Sequence, residues 1–420
     1  MKRLISSFVI AIIAITVFGQ DMKYTHKIIK ELASEKYYGR GYVNRGDSLA
    51  AEFLSGQFSE IGLDNYNGTY FQRYTTNINR YLIKPQFGFN DSTLVIAEDF
   101  IAIPNSANVN GKYEIEWITE RTLTNPWALK HFLKEDHPES FICIDSTGLN
   151  NEELYNFANI IFSKNYINAA GVIEASSHLK YTARTELKEY VHIQVKPEKI
   201  NTKADSIFVN IQNDFIEDYE TQNIIGYIEG KSDSIIMFTA HYDHLGMIDD
   251  IMYPGANDNA SGVSMVLNLA KYYASKRKND YTMVFVLFSG EEAGLLGSEY
   301  MAENPPFELS KVKILLNFDM VGTGDDGIYM LNAKEYPQVE TLFNKMNEKQ
   351  KYFDVMHCSG ASFSSDHAPF YEKGVDAVFV YAAGDNSNYH QPLDKFEDLT
   401  FSAYKDIYKF CIDVVKELAK

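Results

Sequence analysis

Five short stretches in the C-terminal half of the chain each hold a side chain able to bind a metal ion, and four buried strands are each followed by a polar, glycine-bearing loop with such a residue. The run 234–240, SIIMFTA, leads into His241-Tyr242-Asp243-His244-Leu245-Gly246. A neutral imidazole is a good zinc ligand, and Asp243 is placed to take the proton of the other ring nitrogen of His241 and fix its tautomer. Residues 255–262, GANDNASG, set Asp258 among small neighbours that let backbone approach an ion, and its two oxygens suit a bridge. The run 282–288, TMVFVLF, is followed by Ser289-Gly290-Glu291-Glu292. Adjacent carboxylates directly after a buried strand repel unless a cation compensates them. In that case one binds metal while the other takes and returns protons. KILLNF, 313–318, delivers Asp319, and Asn388-Tyr389-His390 supplies a second imidazole with a phenol beside it.

Each stretch also has a plain structural reading: a satisfied core histidine at 241, an N-cap aspartate at 258, an acidic helix start at 291 and 292. Together, two histidines, three carboxylates and one spare glutamate make a dinuclear metal site. Imidazole with carboxylate suits zinc, with manganese and cobalt also compatible. Asp366, His367 and Phe370 are candidate pocket walls, a helix N-cap being the alternative for 365–367. His131, His137, His178 and His192 are scattered without ligand spacing and read as solvated or core residues.

The elements that must position these groups follow from periodicity. From Asn223 onward, strands predicted at 234–239, 282–288, 313–318 and 376–381 alternate with helices at 260–274, 293–303, 337–351 and 401–418. TMVFVLF is apolar on both faces, as a buried parallel strand is. The expected fold class is α/β: a mixed, mostly parallel sheet with helices on both faces. In such sheets ligands bind at the carboxyl ends of the strands, where the five stretches fall. Near the N-terminus a helix is expected over 23–34. A second opens at Gly46, with Asp47 or Ser48 as N-cap, and ends at Gly62. From about 81 to 203 the pattern changes to short β-like runs, among them 113–118, 141–144 and 169–173.

The bulk properties narrow the partners. A net charge of −18 over 420 residues argues against nucleic acid and anionic membranes. Residues 1–19 carry two cations, an apolar stretch and a small residue, the pattern of a secretory signal peptide cleaved after Gly19. An exported protein, periplasmic or extracellular, is therefore expected, without stable membrane association after cleavage. Cys143, Cys358 and Cys411 are three, with no paired spacing, and read as small apolar residues.

The ordered set HYDHLG, NDNASG, SGEEAGLLGS, NFDMVG and SDHAPF with YHQPLD resembles the co-catalytic dizinc exopeptidases, the family of secreted leucyl-type aminopeptidases, glutamate carboxypeptidase and the transferrin receptor. The resemblance is strong from 223 to 420 and weaker over 22–80. It implies that His241 and Asp319 hold one zinc, Glu292 and His390 the other, and that Asp258 bridges them. It further implies Glu291 as general base, Asp243 as the partner of His241, and a cis peptide at Asp258-Asn259; the site chemistry itself suggests the Tyr389 hydroxyl as an oxyanion donor. The middle region loosely resembles a protease-associated domain, through FICID and NAAGVI. The implied organisation is a catalytic domain of 20–83 plus 206–420, interrupted by an insert of 84–205. The expected activity is aminopeptidase, on peptide substrates. A glutaminyl cyclase or a carboxypeptidase on the same scaffold, and a non-enzymatic receptor-like protein, are the alternatives. No arginine adjoins a motif to clamp a substrate carboxylate, and no ligand position is lost.

Overall fold

The computed structural model describes residues 21–144 and 152–420; the expected signal peptide lies outside them. Among the described residues no helix is long and apolar enough to cross a membrane.

The central sheet has eight strands: β1 Phe71–Tyr81, β2 Asn213–Ile228, β3 Ser232–His241, β4 Tyr281–Phe288, β5 Val312–Phe318, β6 Gly327–Leu331, β7 Met356–Cys358 and β8 Ala377–Ala383. Their spatial order is β1-β2-β4-β3-β5-β8-β6-β7. The middle four, β4, β3, β5 and β8, run parallel. β2 joins β4 antiparallel, β1 joins β2 antiparallel, and β6 joins β8 antiparallel. Side-chain alternation explains the layering. Ile236, Phe238 and Ala240 of β3 and Met283, Phe285 and Leu287 of β4 enter the larger core. Ile235 and Met237, with Val284, Val286 and Phe288, enter the core on the opposite face. Helices Met22–Leu32, Gly46–Ile61, Gly262–Ala274, Pro337–Gln350 and Tyr404–Leu418 cover the first face. Leu296–Glu303 and Ala368–Glu372 cover the second. The α/β architecture with helices on both faces is as the alternation predicts.

Two details differ from the sequence reading. The helix at 46–61 is preceded by Arg45 in the left-handed region, so neither Asp47 nor Ser48 is its N-cap. Asp47 is instead buried and accepts hydrogen bonds from the Tyr219 hydroxyl at 2.7 Å and the Thr221 hydroxyl at 3.1 Å. These contacts anchor the helix to β2. The second difference is the extent of the insert. A separate seven-stranded sheet takes, in spatial order, Gln86–Phe89, Ser206–Ile211, Val109–Ile118, Ser140–Ile144, Gly171–Ala175, Val191–Val195 and Phe100–Ala102. Ser206–Ile211 pairs with Gln86–Phe89 and Val109–Ile118, so this sheet closes at 211 rather than at 205. Its core takes in Leu245, Ile248 and Tyr253 from the loop after β3, which joins the insert to the edge where the metal-binding candidates lie.

Candidate metal centre

The parallel strands stop at a common edge. His241, the last residue of β3, is opposite Phe288, the last of β4, and Thr239 is opposite Asn317, next to last of β5. The residues that follow therefore converge. After β3 the chain turns through Gly255, which has φ +59°, where a Cβ would stand 2.2 Å from the Asp258 carbonyl oxygen. Only glycine fits there. The turn then carries Asp258 into the space between the strands. The Asp258-Asn259 peptide is cis, as the resemblance implies. Both oxygens of the Asp394 carboxylate accept from this turn, one from the Asn257 N–H at 2.8 Å and the other from the Asp258 N–H at 3.0 Å.

Glu291 and Glu292 follow β4, and Asp243 fixes their backbone. One oxygen of Asp243 accepts from the Glu291 N–H at 3.3 Å, the other from the Glu292 N–H at 3.4 Å. The expected partner of His241 is thus placed differently in detail. The imidazole Nδ1 is 3.2 Å from the backbone carbonyl of Asp243 and 3.7 Å from its carboxylate. The carbonyl fixes the ring, and the carboxylate holds the glutamate turn. Asp319, after β5, is steadied by a relay. The Thr239 hydroxyl donates to Asn317 Oδ1, Asn317 Nδ2 donates to Ser365 Oγ, and Ser365 Oγ donates to Asp319 Oδ2 at 2.9 Å. Asp319 Oδ1 is left to face His241. His390, in the loop after β8, has φ +59°. A left-handed backbone outside glycine costs roughly 1–2 kcal/mol and gathers at functional sites.

The resulting distances have the spacing of a ligand cage. His241 Nε2 is 3.4 Å from Asp258 Oδ1 and 3.4 Å from Asp319 Oδ1. It is buried and makes no hydrogen bond. On the other side His390 Nε2 is 3.3 Å from Asp258 Oδ2 and 3.0 Å from Glu292 Oε2. Two ligand atoms at about 2.0–2.1 Å from one tetrahedral zinc stand about 3.3–3.4 Å apart. Nε2 of His241 and its two carboxylate neighbours match that separation. Asp258 directs one oxygen to each imidazole, as a bridging carboxylate must. An orphaned buried nitrogen and a converging set of oxygens and nitrogens fit the binding of divalent metal.

The electrostatics show how much uncompensated charge is gathered here. Burial raises the Glu291 carboxyl well above its ordinary value, Asp319 and Glu292 adding to the rise and His241 opposing it. Burial also works against the charged form of Glu292, yet the imidazoles of His390 and His244 hold its carboxyl well below the usual range. Desolvation pushes Asp366 up to about 7. Burial lowers His367 to about 4, so it is neutral in the fold.

The structure brings together all five predicted ligands with Glu291 and Asp243. The Tyr389 ring stacks on His390 at 3.9 Å. Asp366, His367 and Phe370 are fully buried, so the alternative of a solvated helix start at 365–367 fails. Neither oxygen of Asp366 is satisfied by a hydrogen bond. Three residues of the site were passed over in the sequence. His244 is fully shielded, its Nδ1 2.6 Å from Glu292 Oε1; its signal was present in the same HYDHLG stretch. Asp394 closes YHQPLD. Arg40 lies between Gly39 and Gly41, far from every motif, and is completely buried. Its guanidinium donates to the carbonyls of Tyr242, Leu32, Pro254, Gly255 and Asp258 at 2.7–3.2 Å. It thus sets a fixed positive charge behind the acidic cluster.

Residues 223–415 match the model of peptidase family M28. Aminopeptidase YwaD of Bacillus subtilis is 33% identical over 199 residues, covering 43% of this chain and 41% of its own length. A probable leucine aminopeptidase of Trichophyton verrucosum is 32% identical over 235 residues, 52% of this chain and 64% of its own. The chain therefore spans about half the length of these curated relatives. A solved zinc aminopeptidase from Bacillus subtilis superposes over 96% of both chains with a TM-score of 0.71 at 21% identity, which shows a shared fold. Family model, relatives and fold agree with the geometry at the strand ends: residues 223–415 of this chain are similar to peptidase family M28.

Proposed function

We propose that the chain is an exported metallo-aminopeptidase that removes N-terminal residues from peptides with the help of two zinc ions. The observation that carries this reading is Asp258, whose two oxygens reach the imidazoles of His241 and His390 from opposite sides. His241 and Asp319 would hold one ion, Glu292 and His390 the other, with Asp258 between them. Bound there, the ions would lower the pKa of a water toward neutrality and polarise the scissile carbonyl.

The chain's own residues then do the rest. Glu291, whose carboxyl pKa is raised by burial, takes the proton from the attacking water and returns it to the leaving amine. Asp243 holds the Glu291 backbone in reach of the cluster. Tyr389, kept protonated by burial and by the carboxylates around it, would donate to a developing oxyanion. The region 84–211 serves as a protease-associated-like insert that borders the substrate entrance.

Metal analysis of the purified protein combined with a panel of aminoacyl p-nitroanilides tests the proposal. Two zinc ions per chain and chelator-sensitive hydrolysis are expected. Glu291→Gln should keep both ions and lose about 10³-fold in turnover. Full activity of that variant removes Glu291 as the base. A second reading, engagement of a substrate carboxylate, has one observation in its favour: the insert brings Lys180 Nζ to 5.3 Å from the Tyr389 ring centroid. Hydrolysis of N-blocked peptides from the C-terminus would favour it.

A further inference from the structure

We propose that His244 is a positioning residue that commits one oxygen of Glu292 to a hydrogen bond and leaves the other as the sole donor to a metal ion. The inference rests on the two-ion reading above and goes beyond it, because His244 belongs to none of the assigned ligand positions.

The side chain of His244 has no exposed surface, and Nδ1 lies 2.6 Å from Glu292 Oε1. That is a short charge-assisted hydrogen bond. A carboxylate accepts only, so Nδ1 carries the proton. The same nitrogen is 3.9 Å from Asp258 Oδ1, too far to bond. Glu292 Oε2 is turned the other way, 3.0 Å from His390 Nε2. A carboxylate in this place could chelate a cation through both oxygens or bind through one. The commitment of Oε1 selects the second mode and fixes the direction of Oε2.

The ring itself has little room to move. Its Cδ2 stands 2.5 Å from where a Cβ on Gly255 would be, against the same turn that Arg40 braces. It is set edge-on to His390, at 6.0 Å and 73° between planes. The backbone N–H of His244 donates to the Arg40 carbonyl at 3.3 Å. Loss of the imidazole leaves Oε1 buried without its donor and frees the Glu292 side chain to rotate. Partners that orient metal ligands in this way are worth about 10–100-fold in metal affinity.

The test compares His244→Ala, His244→Gln and His244→Asn in the full chain. Zinc affinity at each site is measured by competition with a chromophoric chelator, and folding of the metal-free proteins by thermal melting. Asparagine can place a donor where Nδ1 lies, whereas glutamine places it near Nε2. The expected result is that alanine and glutamine weaken one of the two zinc sites 10–100-fold and leave the other unchanged, while asparagine stays within a few-fold of wild type. Wild-type affinity in the alanine and glutamine variants overturns the proposal, as does an asparagine variant as weak as alanine, or equal weakening of both sites. If the alanine variant does not fold, the glutamine and asparagine pair carries the same comparison. Wild-type protein that binds two zinc ions and hydrolyses peptides alongside unaffected His244 variants removes only the positioning role; wild-type protein without those properties removes the function itself.

Discussion

Both sheets of this molecule bury histidines against carboxylates, but His241 of the central sheet does so differently from the histidines of the insert. In the insert, His192 Nε2 is 2.9 Å from Glu174 Oε2, and His137 Nδ1 is 2.9 Å from Glu116 Oε1. Each is a closed pair. His192 holds Glu174 below its ordinary pKa although burial works against it. At the edge of the central sheet, His241 Nε2 faces two carboxylate oxygens at 3.4 Å and bonds to neither. A buried polar atom that declines available partners is rare, because an unmade bond there costs about 1–3 kcal/mol. The contrast teaches that residue type and burial do not identify a metal site. Separation and the count of donors do.

The largest expected effect comes from breaking the open arrangement. Asp258→Asn should lower zinc content below two per chain and reduce peptide hydrolysis by 10³-fold or more, while Glu174→Gln in the closed pair should change neither. Equal loss of activity in both variants, measured by the same aminoacyl assay, would erase the distinction. Next in size is the charge behind the site. Arg40→Met leaves five carbonyls without their donor and should cost about 3–5 kcal/mol in urea unfolding of the metal-free protein. A cost under 1 kcal/mol would show that water replaces the guanidinium freely.

Acid should act on the open side as well. His367 is held neutral with a folded pKa of about 4 against an ordinary 6.5. The unfolded chain therefore binds the extra proton between those values. The stability this burial confers is fully present above pH 6.5 and is lost as the pH falls toward 4, by about 3 kcal/mol. His367→Gln should flatten that part of the metal-free stability profile, and an unchanged slope would contradict it. The smallest effect tests the seam between the two sheets. Gln391 Nε2 donates to the Leu179 carbonyl of the insert. Gln391→Ala should raise KM a few-fold with kcat nearly unchanged, and a larger change in kcat than in KM would assign it a part in the chemistry.

The sequence made the chemistry of the central sheet legible because its strands are apolar on both faces and stop abruptly at polar glycine turns. His241, Asp258, Glu292, Asp319 and His390 stand out for that reason. The outer strands were harder. β1, FQRYTTNINRY, and the first half of β2 are largely polar and partly exposed, so no apolar run marks them. The end of the insert at 211 was missed for a related cause: Ser206–Ile211 alternates buried and half-buried residues, a pattern that fits either sheet. Arg40 was invisible, since all its bonds go to backbone carbonyls and backbone leaves no trace in residue type. Asp243 was found, but its carboxylate was assigned to the ring two residues away rather than to two N–H groups of another strand's loop. Local spacing favours near neighbours; topology supplies distant ones.

Arg40 also bears on how the molecule can be divided. The stretch that matches the family begins at 223, yet the guanidinium that ties together the turn on which Asp258 rides is supplied from far upstream, ahead of the insert. A fragment trimmed to the matching boundaries would keep every candidate donor and lose the brace, so such a fragment, expressed alone, is the wrong object in which to look for zinc. Supplying 21–83 as a separate polypeptide would then be a complementation experiment, with recovery of metal uptake reporting that the missing brace had docked.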